Sequence, residues 1–285
     1  MIRSFFPSAF DTGSAVLPAP PAPERFRAAA TGSRTIKPIR KRVILKVKGC
    51  TCSIPTDWAT KAVPQIRAAR RRMKLLLIAD NEERYLWDDW NQNTRKELSD
   101  IDLILSAGDL DADYLEFLVT MLNVPLVYVR GNHDGQYDEK PPEGCIDADG
   151  EIVEVACGKG AVKEKIRVLG LGGSMRYKDY SDDMYTEEEM AWRIVHLQKV
   201  FLRERLKGKK GFDILLTHAP CKGYGDMEDI AHTGFECFNR FLSKHQPKLH
   251  VYGHVHEEYG VFTRCMTHPS GTLLINASGS YRMEI

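Results

Sequence analysis

The feature that most constrains this chain is a series of short apolar runs that begins at Lys74 and continues almost to the C-terminus. Each run has the length of one strand, and most runs end in a polar or potentially metal-binding residue. Segments with helical spacing of apolar residues separate the runs, and this alternation predicts a mixed α/β fold. The predicted strands are Lys74–Asp80, Leu103–Asp109, Leu126–Asn132, Arg167–Gly173, Asp213–His218 and Leu249–His254.

Two of the intervening segments, Tyr114–Leu122 and Thr186–Leu206, predict amphipathic helices. The second begins with a capping box, in which a Thr is followed three residues later by a Glu. Near the C-terminus, Gly260–Arg264 and Thr272–Ala277 predict further strands that would close a second sheet.

The first 72 residues differ from the rest in charge and composition. They hold 15 Lys or Arg against 3 acidic residues, whereas the remainder holds 25 basic against 36 acidic residues. The tract Pro18–Pro23 is too rich in proline for a helix or a sheet interior. We predict a basic, largely disordered extension over residues 1–72, with one short strand at Lys41–Lys48 and a basic helix at Val63–Arg72, and a folded domain over residues 73–285.

Composition also indicates the cellular compartment of the chain. No apolar run reaches the roughly 18 residues needed to cross a bilayer, so we expect no membrane span. The seven cysteines are odd in number and have no framework spacing. They predict reduced thiols and a cytoplasmic protein.

The residues that end the predicted strands are of the types that bind divalent cations. Each of these residues taken alone has a structural explanation. Asp often caps a helix, and a lone His is often a buried structural residue with its hydrogen bonds made. Their recurrence at five strand ends indicates a shared site at the carboxyl edge of a sheet. Gly253 would give the backbone the freedom to aim the last two imidazoles inward. The candidates are Asp80, Asp109, Asn132, His133, His218, His254 and His256.

Five motifs stand in order along the chain: Asp80, Gly108-Asp109, Gly131-Asn132-His133-Asp134, His218 and Gly253-His254-Val255-His256. Together they resemble the motifs of the calcineurin-like metallophosphoesterase superfamily, over roughly residues 74–280. The resemblance implies a four-layer α-β-β-α sandwich of two mixed sheets. It also implies hydrolysis of a phosphoester by a dinuclear metal centre with a bridging hydroxide.

The resemblance assigns a role to each candidate. His133 would be the general acid or would orient the phosphate, assisted by Asp134. The two divalent ions would be Mn, Fe, Zn, Ni or Mg, of which Mn or Fe are favoured. Asp109 would bridge both ions, Asp80 and His256 would hold the first, and Asn132, His218 and His254 would hold the second.

The first motif departs from the family pattern. It is usually Asp-any-His, whereas this chain reads Asp80-Asn81-Glu82. Either Glu82 coordinates through oxygen or the first site lacks a ligand. An oxygen ligand would favour Mn, Fe or Mg over Zn.

A second departure concerns the substrate. Protein Ser/Thr phosphatases of the family carry Asp-Arg-Gly at a point where this chain reads Leu110-Asp111-Ala112-Asp113. The missing arginine argues against a phosphoprotein and favours the small bacterial-type branch. We therefore expect a small phosphoester or nucleotide substrate, with a phosphodiester preferred over a monoester. Arg130 and Arg176 are candidates for binding its phosphate.

Two alternatives stay open at this point. The altered first motif suits a catalytically weak metal- or nucleotide-binding scaffold, although His133 would have no use there. The basic extension suits a nuclease or a nucleic-acid-binding protein with salt-sensitive phosphate contacts, and a solvated tail is its plainer interpretation. The sequence specifies no oligomeric state.

Overall fold

The chain divides into two units, Met1–Arg67 and Ala68–Ile285. In the first unit, strand β1 (Val43–Val47) pairs antiparallel with β2 (Cys50–Ile54). The rest of the predicted extension and nearly all of the predicted helix Val63–Arg72 lie outside the described residues. The computed structural model describes residues 43–47, 50–54, 72–158, 163–179, 182–209, 211–260 and 262–285.

A five-stranded sheet forms the first half of the second unit, in the order β15-β3-β4-β5-β6. Its central parallel strands are almost entirely buried and mostly apolar, as expected where a sheet is covered on both faces. The last strand joins it antiparallel, beside β3. The strands are β3 (Lys74–Ala79), β4 (Leu103–Ser106), β5 (Leu126–Tyr128), β6 (Ile146–Asp147) and β15 (Gly279–Glu284).

A six-stranded mixed sheet forms the other half, in the order β13-β14-β12-β11-β8-β7. Its central strands run parallel, and both edge strands pair antiparallel. A separate short pair joins β9 (Ser174–Met175) and β10 (Met184–Tyr185). The strands of the sheet are β7 (Ile152–Cys157), β8 (Glu164–Leu171), β11 (Ile214–Thr217), β12 (Leu249–Tyr252), β13 (Cys265–Thr267) and β14 (Leu273–Asn276).

Helices cover the outer face of each sheet. Leu76 and Ile78 of β3 point outward into a core that α2 covers, whereas Leu75 and Leu77 point inward between the sheets. The second sheet is covered by α3 and α4 in the same way. The four-layer mixed fold that the sequence predicted is therefore confirmed. The helices are α1 (Gln92–Glu97), α2 (Ala112–Leu122), α3 (Glu187–Leu206) and α4 (Glu236–His245).

Local sequence explains where some of these elements begin and end. Thr186 and Glu189 form the predicted capping box at the start of α3. The strand expected at Gly260–Arg264 is wrong for the residues of that segment that the structure describes, because they follow a short 3₁₀ turn and the strand begins only at Cys265. Gly260 has a φ of 112°, a left-handed value that ends the turn and cannot continue a strand.

In the described part of the chain, no helix is long and apolar enough to cross a membrane.

Candidate metal centre

The carboxyl ends of five strands meet at one edge of the two sheets. Asp80 follows β3, Asp109 follows β4, Asn132 follows β5, His218 follows β11 and His254 follows β12. Side chains from four of these ends line a cavity of about 440 Å³. This is where ligands bind in parallel α/β sheets, since the loops beyond the strands converge there. The lining residues are Asp80, Asp109, Asn132, His133, Tyr177, Ala231, His232, His254, His256 and Tyr259.

Four of the predicted ligands form a tight cluster around His218 Nε2. This nitrogen lies 3.0 Å from Asn132 Oδ1 and 3.1 Å from His254 Nδ1. It lies 3.4 Å from Asp109 Oδ2. The donor atoms of Asp109, His218 and His254 are close enough together to share one metal ion. A mixed set of oxygen and imidazole donors suits a divalent transition metal.

The backbone fixes which nitrogen each imidazole turns inward. Nδ1 of His218 lies 2.8 Å from the Ala107 carbonyl oxygen, and Nε2 of His254 lies 2.6 Å from that of Ala231. A carbonyl oxygen can only accept, so these outer nitrogens carry the hydrogens. The inner nitrogens, Nε2 of His218 and Nδ1 of His254, face each other. Metal-binding histidines are oriented in the same way.

The other side of the cluster is looser. Both oxygens of Asp80 accept hydrogen bonds from the backbone N–H of His254, at 2.9 and 3.1 Å. The Asp80 side chain is fully buried, and His256 Nε2 lies 3.8 Å from its Oδ1. The His256 side chain is 24% exposed. This half therefore offers one buried carboxylate and one half-buried imidazole.

The ionisation of the cluster favours a positive charge at its centre. Burial alone would raise the pKa of Asp109, but the neighbouring His218 charge and hydrogen bonds outweigh it and lower that pKa. His218 is buried too, yet the carboxylates of Asp109 and Asp80 raise its pKa to about 9. Burial lowers the pKa of His254 to about 3, so its inner nitrogen keeps its lone pair. A cation at this point would meet the same negative field and the same lone pairs, so the donor set fits a metal ion.

Backbone strain concentrates at the same residues. Asp80, Asp109 and His254 have φ values of 65°, 56° and 70°. These values lie in the left-handed region, which residues other than glycine rarely adopt. Strain of this kind persists where the surrounding structure imposes it, and it is frequent at functional sites. The structure also corrects the expected role of Gly253. The left-handed residue is His254, and Gly253 is needed because a Cβ there would lie 2.7 Å from Ala79 Cβ.

Comparison with known proteins supports a family assignment. The family model described as calcineurin-like phosphoesterase matches residues 73–258. The chain belongs to the calcineurin-like phosphoesterase family. This family consists of metal-dependent hydrolases that act on phosphoesters, which agrees with the donor set at the strand ends.

Individual relatives match only short parts of their own sequences. UPF0046 protein T07D4.2 of Caenorhabditis elegans is 44% identical over 55 residues, which are 19% of this chain and 14% of that protein. Metallophosphoesterase domain-containing protein 1 of Homo sapiens is 39% identical over 72 residues, 24% of this chain and 21% of that protein. The chain thus matches less than a quarter of the length of these relatives.

One solved structure shares the fold. One crystal structure aligns with a TM-score of 0.50 at 14% identity, over 75% of this chain and 95% of the other. The crystal structure of TT1561 of Thermus thermophilus has a TM-score of 0.48 at 15% identity, over 73% of this chain and 90% of the other.

Two residues of the third family motif occupy different positions. His133 is exposed and lines the cavity, and its backbone N–H donates to Asp109 Oδ1 at 2.8 Å. Asp134 is buried, and its Oδ2 accepts from the backbone N–H groups of Asp109 and Gly131, at 2.8 and 2.7 Å. Burial raises the pKa of Asp134 to about 6. Asp134 therefore ties two strand ends together behind the cavity.

Gly131 is required by this crowding. A Cβ at Gly131 would lie 2.0 Å from Asp109 Oδ1 and 2.7 Å from His218 Cε1. Any side chain there would displace two of the candidate ligands.

Three residues that the sequence nominated lie away from the cluster. Glu82 Oε1 accepts from the backbone N–H of Asp111 at 2.9 Å, at the start of α2. Arg130 donates to Asp138 at 2.5 Å. Arg176 forms an ion pair with Glu189 at 2.9 Å and donates to the Met184 carbonyl oxygen at 3.0 Å. Among the described residues that line the cavity, none of these three is present.

Two aromatic residues of the cavity, His232 and Tyr259, were missed by sequence reasoning, and a third, Tyr177, ends the loop after β8 that the sequence suggests as part of the substrate pocket. Tyr177 follows Arg176, and its hydroxyl lies 3.4 Å from Asn132 Nδ2. The Tyr259 ring contacts both His232, with ring centroids 4.5 Å apart, and His256, with centroids 4.9 Å apart. Tyr177 and Tyr259 are close in sequence to motifs already recognised, which is a usable signal. His232 lies in a loop with no motif, and only the fold brings it to the cavity.

Proposed function

We propose that this chain hydrolyses a phosphodiester with two unequal divalent cations. Asn132, His218 and His254 would hold one cation. Asp80 and His256 would hold the other, and Asp109 would contact both. The observation that carries the proposal is the inward pair of imidazole nitrogens, 3.1 Å apart, each fixed by a hydrogen bond from its other nitrogen to a backbone carbonyl.

The cations and His133 would have separate tasks. When bound, the cations would acidify a water molecule for attack and neutralise charge on the phosphoryl oxygens. His133 stands at the exposed rim with its backbone held by Asp109. We propose that its imidazole orients the phosphate and gives a proton to the leaving oxygen. Asp134, whose described hydrogen bonds go to backbone N–H groups, would position this loop.

The charge of the cavity supports a diester over a monoester. Among the described residues that line it there is no Lys or Arg, so the cations would supply most of the positive charge. A phosphodiester carries one negative charge, whereas a monoester carries nearly two at neutral pH because its second pKa is about 6. Arg130 and Arg176 would contribute only if their ion pairs with Asp138 and Glu189 opened.

The donor set also supports a choice of metal. The position held by Asp80, Asp109 and His256 has two carboxylates for one imidazole. Such an oxygen-rich set favours Mn or Fe over Zn. We propose Mn²⁺ or Fe²⁺ as the native occupant of this position.

One observation favours a second candidate, a metal-binding scaffold without turnover. Glu82 replaces the usual histidine of the first motif, and in this structure its carboxylate accepts from the Asp111 N–H, away from the cluster. A first position short of one ligand would bind its cation weakly, and hydrolysis would fail without it.

The test is hydrolysis of a chromogenic phosphodiester and its matched monoester by metal-stripped full-length protein. Mn²⁺, Fe²⁺, Ni²⁺, Zn²⁺ or Mg²⁺ is restored in turn, and His133→Ala is the control. We expect turnover that depends on Mn²⁺ or Fe²⁺, is faster on the diester, and is lost in the control. Metal binding without turnover on either ester would support the scaffold instead.

A further inference from the structure

The outward face of α3 carries an apolar stripe. Trp192 is 63% exposed, Val195 52%, Leu202 59% and Leu206 81%. Most of the large apolar side chains that are exposed in the described part of the chain lie on this one helix. Contiguous exposed apolar surface of this kind usually marks a contact site.

The spacing of the stripe is that of a helix-helix seam. The four residues, with Lys199 between them, alternate at intervals of three and four residues along the helix. The opposite face of α3 is occupied, because Met190, Leu197 and Val200 are buried against the second sheet. Alternation at three and four residues keeps side chains on a line that a second helix can follow. The helix has 20 residues and is about 30 Å long, and the seam from Trp192 to Leu206 covers about 21 Å of it.

The charges along α3 indicate which helix would fit. Its first turn is acidic and its last turn is basic. Glu187 accepts from the start of α4, and Glu189 and Arg203 form ion pairs within the chain. The exposed charges that a partner would meet are Glu188 at the acidic end and Arg205 at the basic end. A copy of the same helix laid antiparallel brings each acidic end to a basic end. A parallel copy would place like charges together, and an anionic membrane surface would repel the acidic turn.

We propose that two copies of this chain form a symmetric dimer in which their α3 helices pair antiparallel. The two-fold axis would pass between Val195 and Lys199. Trp192 would then face Leu202 of the second copy, and Val195 would face the aliphatic stem of Lys199 of the second copy. At the ends, the exposed Glu188 would approach the exposed Arg205 of the second copy.

This surface is separate from the metal centre. None of the described residues that line the cavity belongs to α3. The dimer therefore does not depend on the proposed function, and both could be tested in the same preparation.

The test is sedimentation equilibrium of the full-length chain over about 0.5 to 100 µM. We expect a monomer-dimer equilibrium whose Kd rises more than about 100-fold in Leu202→Glu, because a charge would enter the apolar seam against Trp192 of the second copy. Ile230→Glu is the matched control, since Ile230 is 70% exposed but lies away from α3. Circular dichroism would establish that each variant is folded.

Charge exchange tests the orientation of the helices. Glu188→Arg and Arg205→Glu should each raise the Kd about tenfold, and the double variant should return it to within about threefold of the wild-type value. Three results would overturn the proposal: a monomer at every concentration, a dimer that Leu202→Glu leaves intact, or a dimer that the double exchange fails to restore.

Discussion

The two halves of the candidate metal centre differ in how closely their candidate ligands are grouped and how deeply they are buried. On one side, Asn132, His218 and His254 are buried, and the first and last of them lie within 3.1 Å of a single His218 nitrogen. On the other side, the buried Asp80 faces His256 across 3.8 Å, and Glu82, which stands where the family motif usually has a histidine, accepts from the Asp111 N–H. The replacement of the usual motif histidine by Glu82 therefore falls on the half of the site whose candidate ligands are less buried and farther apart.

The contrast has a structural cause. His218 and His254 follow β11 and β12, which are neighbours in the second sheet, and each ring is held by a backbone carbonyl. Asp80 follows β3 in the other sheet and is held through the backbone of His254. The residue that would complete this half, Glu82, is engaged at the start of α2. We therefore expect one tight and one weak cation position.

Asp109→Asn should have the largest effect, because we propose that Asp109 contacts both cations. The amide keeps the shape but removes the charge that both cations need. We expect kcat/KM for the diester to fall at least about 10³-fold. Steady-state kinetics on protein with unchanged circular dichroism measures this loss, and a decrease of less than tenfold would show that the two halves do not depend on Asp109.

His218→Ala and His256→Ala compare the halves directly. Loss of His218 should abolish the tight position, so that excess Mn²⁺ restores little of the rate. Loss of His256 should weaken Mn²⁺ binding about 10- to 100-fold, and added Mn²⁺ should restore most of the rate. Rate measured against Mn²⁺ concentration separates the two variants. Equal recovery in both would remove the distinction between the halves.

The strand that leads to His254 in the tight half, β12, carries the buried His250, and this residue predicts a pH dependence of stability. The Thr217 hydroxyl donates to the Ala219 carbonyl oxygen, so His250 Nε2 must donate to that hydroxyl, at 2.8 Å. Burial lowers the pKa of His250 from 6.5 to about 3, so the folded protein keeps the ring neutral while the unfolded chain binds a proton below pH 6.5. The contribution of His250 to the free energy of unfolding is therefore fully present above pH 6.5. Below pH 6.5 it falls by about 1.4 kcal/mol per pH unit, until about pH 3.

Urea unfolding at pH 7 and pH 5 measures this slope. His250→Gln, which does not titrate, should show a shallower loss of stability over the same interval. Identical slopes in the two proteins would mean that another group dominates.

Glu82→Ala should have the smallest effect on turnover. If Glu82 serves α2 and not the cation, the diester rate at saturating Mn²⁺ should change less than about twofold, and the free energy of unfolding should fall by about 0.5 to 1 kcal/mol. Kinetics and urea unfolding of the same variant measure both quantities. A tenfold rise in the Mn²⁺ requirement would instead make Glu82 a ligand and narrow the difference between the halves.

The sequence predicted the parts of the fold that local pattern determines. The apolar runs and the polar residues at their ends, such as Asp80 and His218, locate the parallel strands and the edge where they meet. The four-layer fold and the family followed from those motifs, and the family model confirmed them.

Elements supported by distant contacts could not be predicted. The start of α4 has Phe235 at the capping position, which offers no side-chain acceptor. Glu187 of α3 supplies it instead, by accepting from the backbone N–H groups of Glu236 and Cys237 at 3.0 and 2.6 Å. His232 is likewise brought to the cavity only by the folding of its loop. The tautomers of His218 and His254 depend on backbone carbonyls of Ala107 and Ala231, which are distant in sequence.

A Mn²⁺ titration of metal-stripped full-length protein, with bound metal and diester turnover followed in one sample, tests the central claim most directly. We predict two ions per chain whose dissociation constants differ at least about tenfold, with turnover rising as the second ion binds. One ion per chain, or full turnover after the first equivalent, would contradict the account.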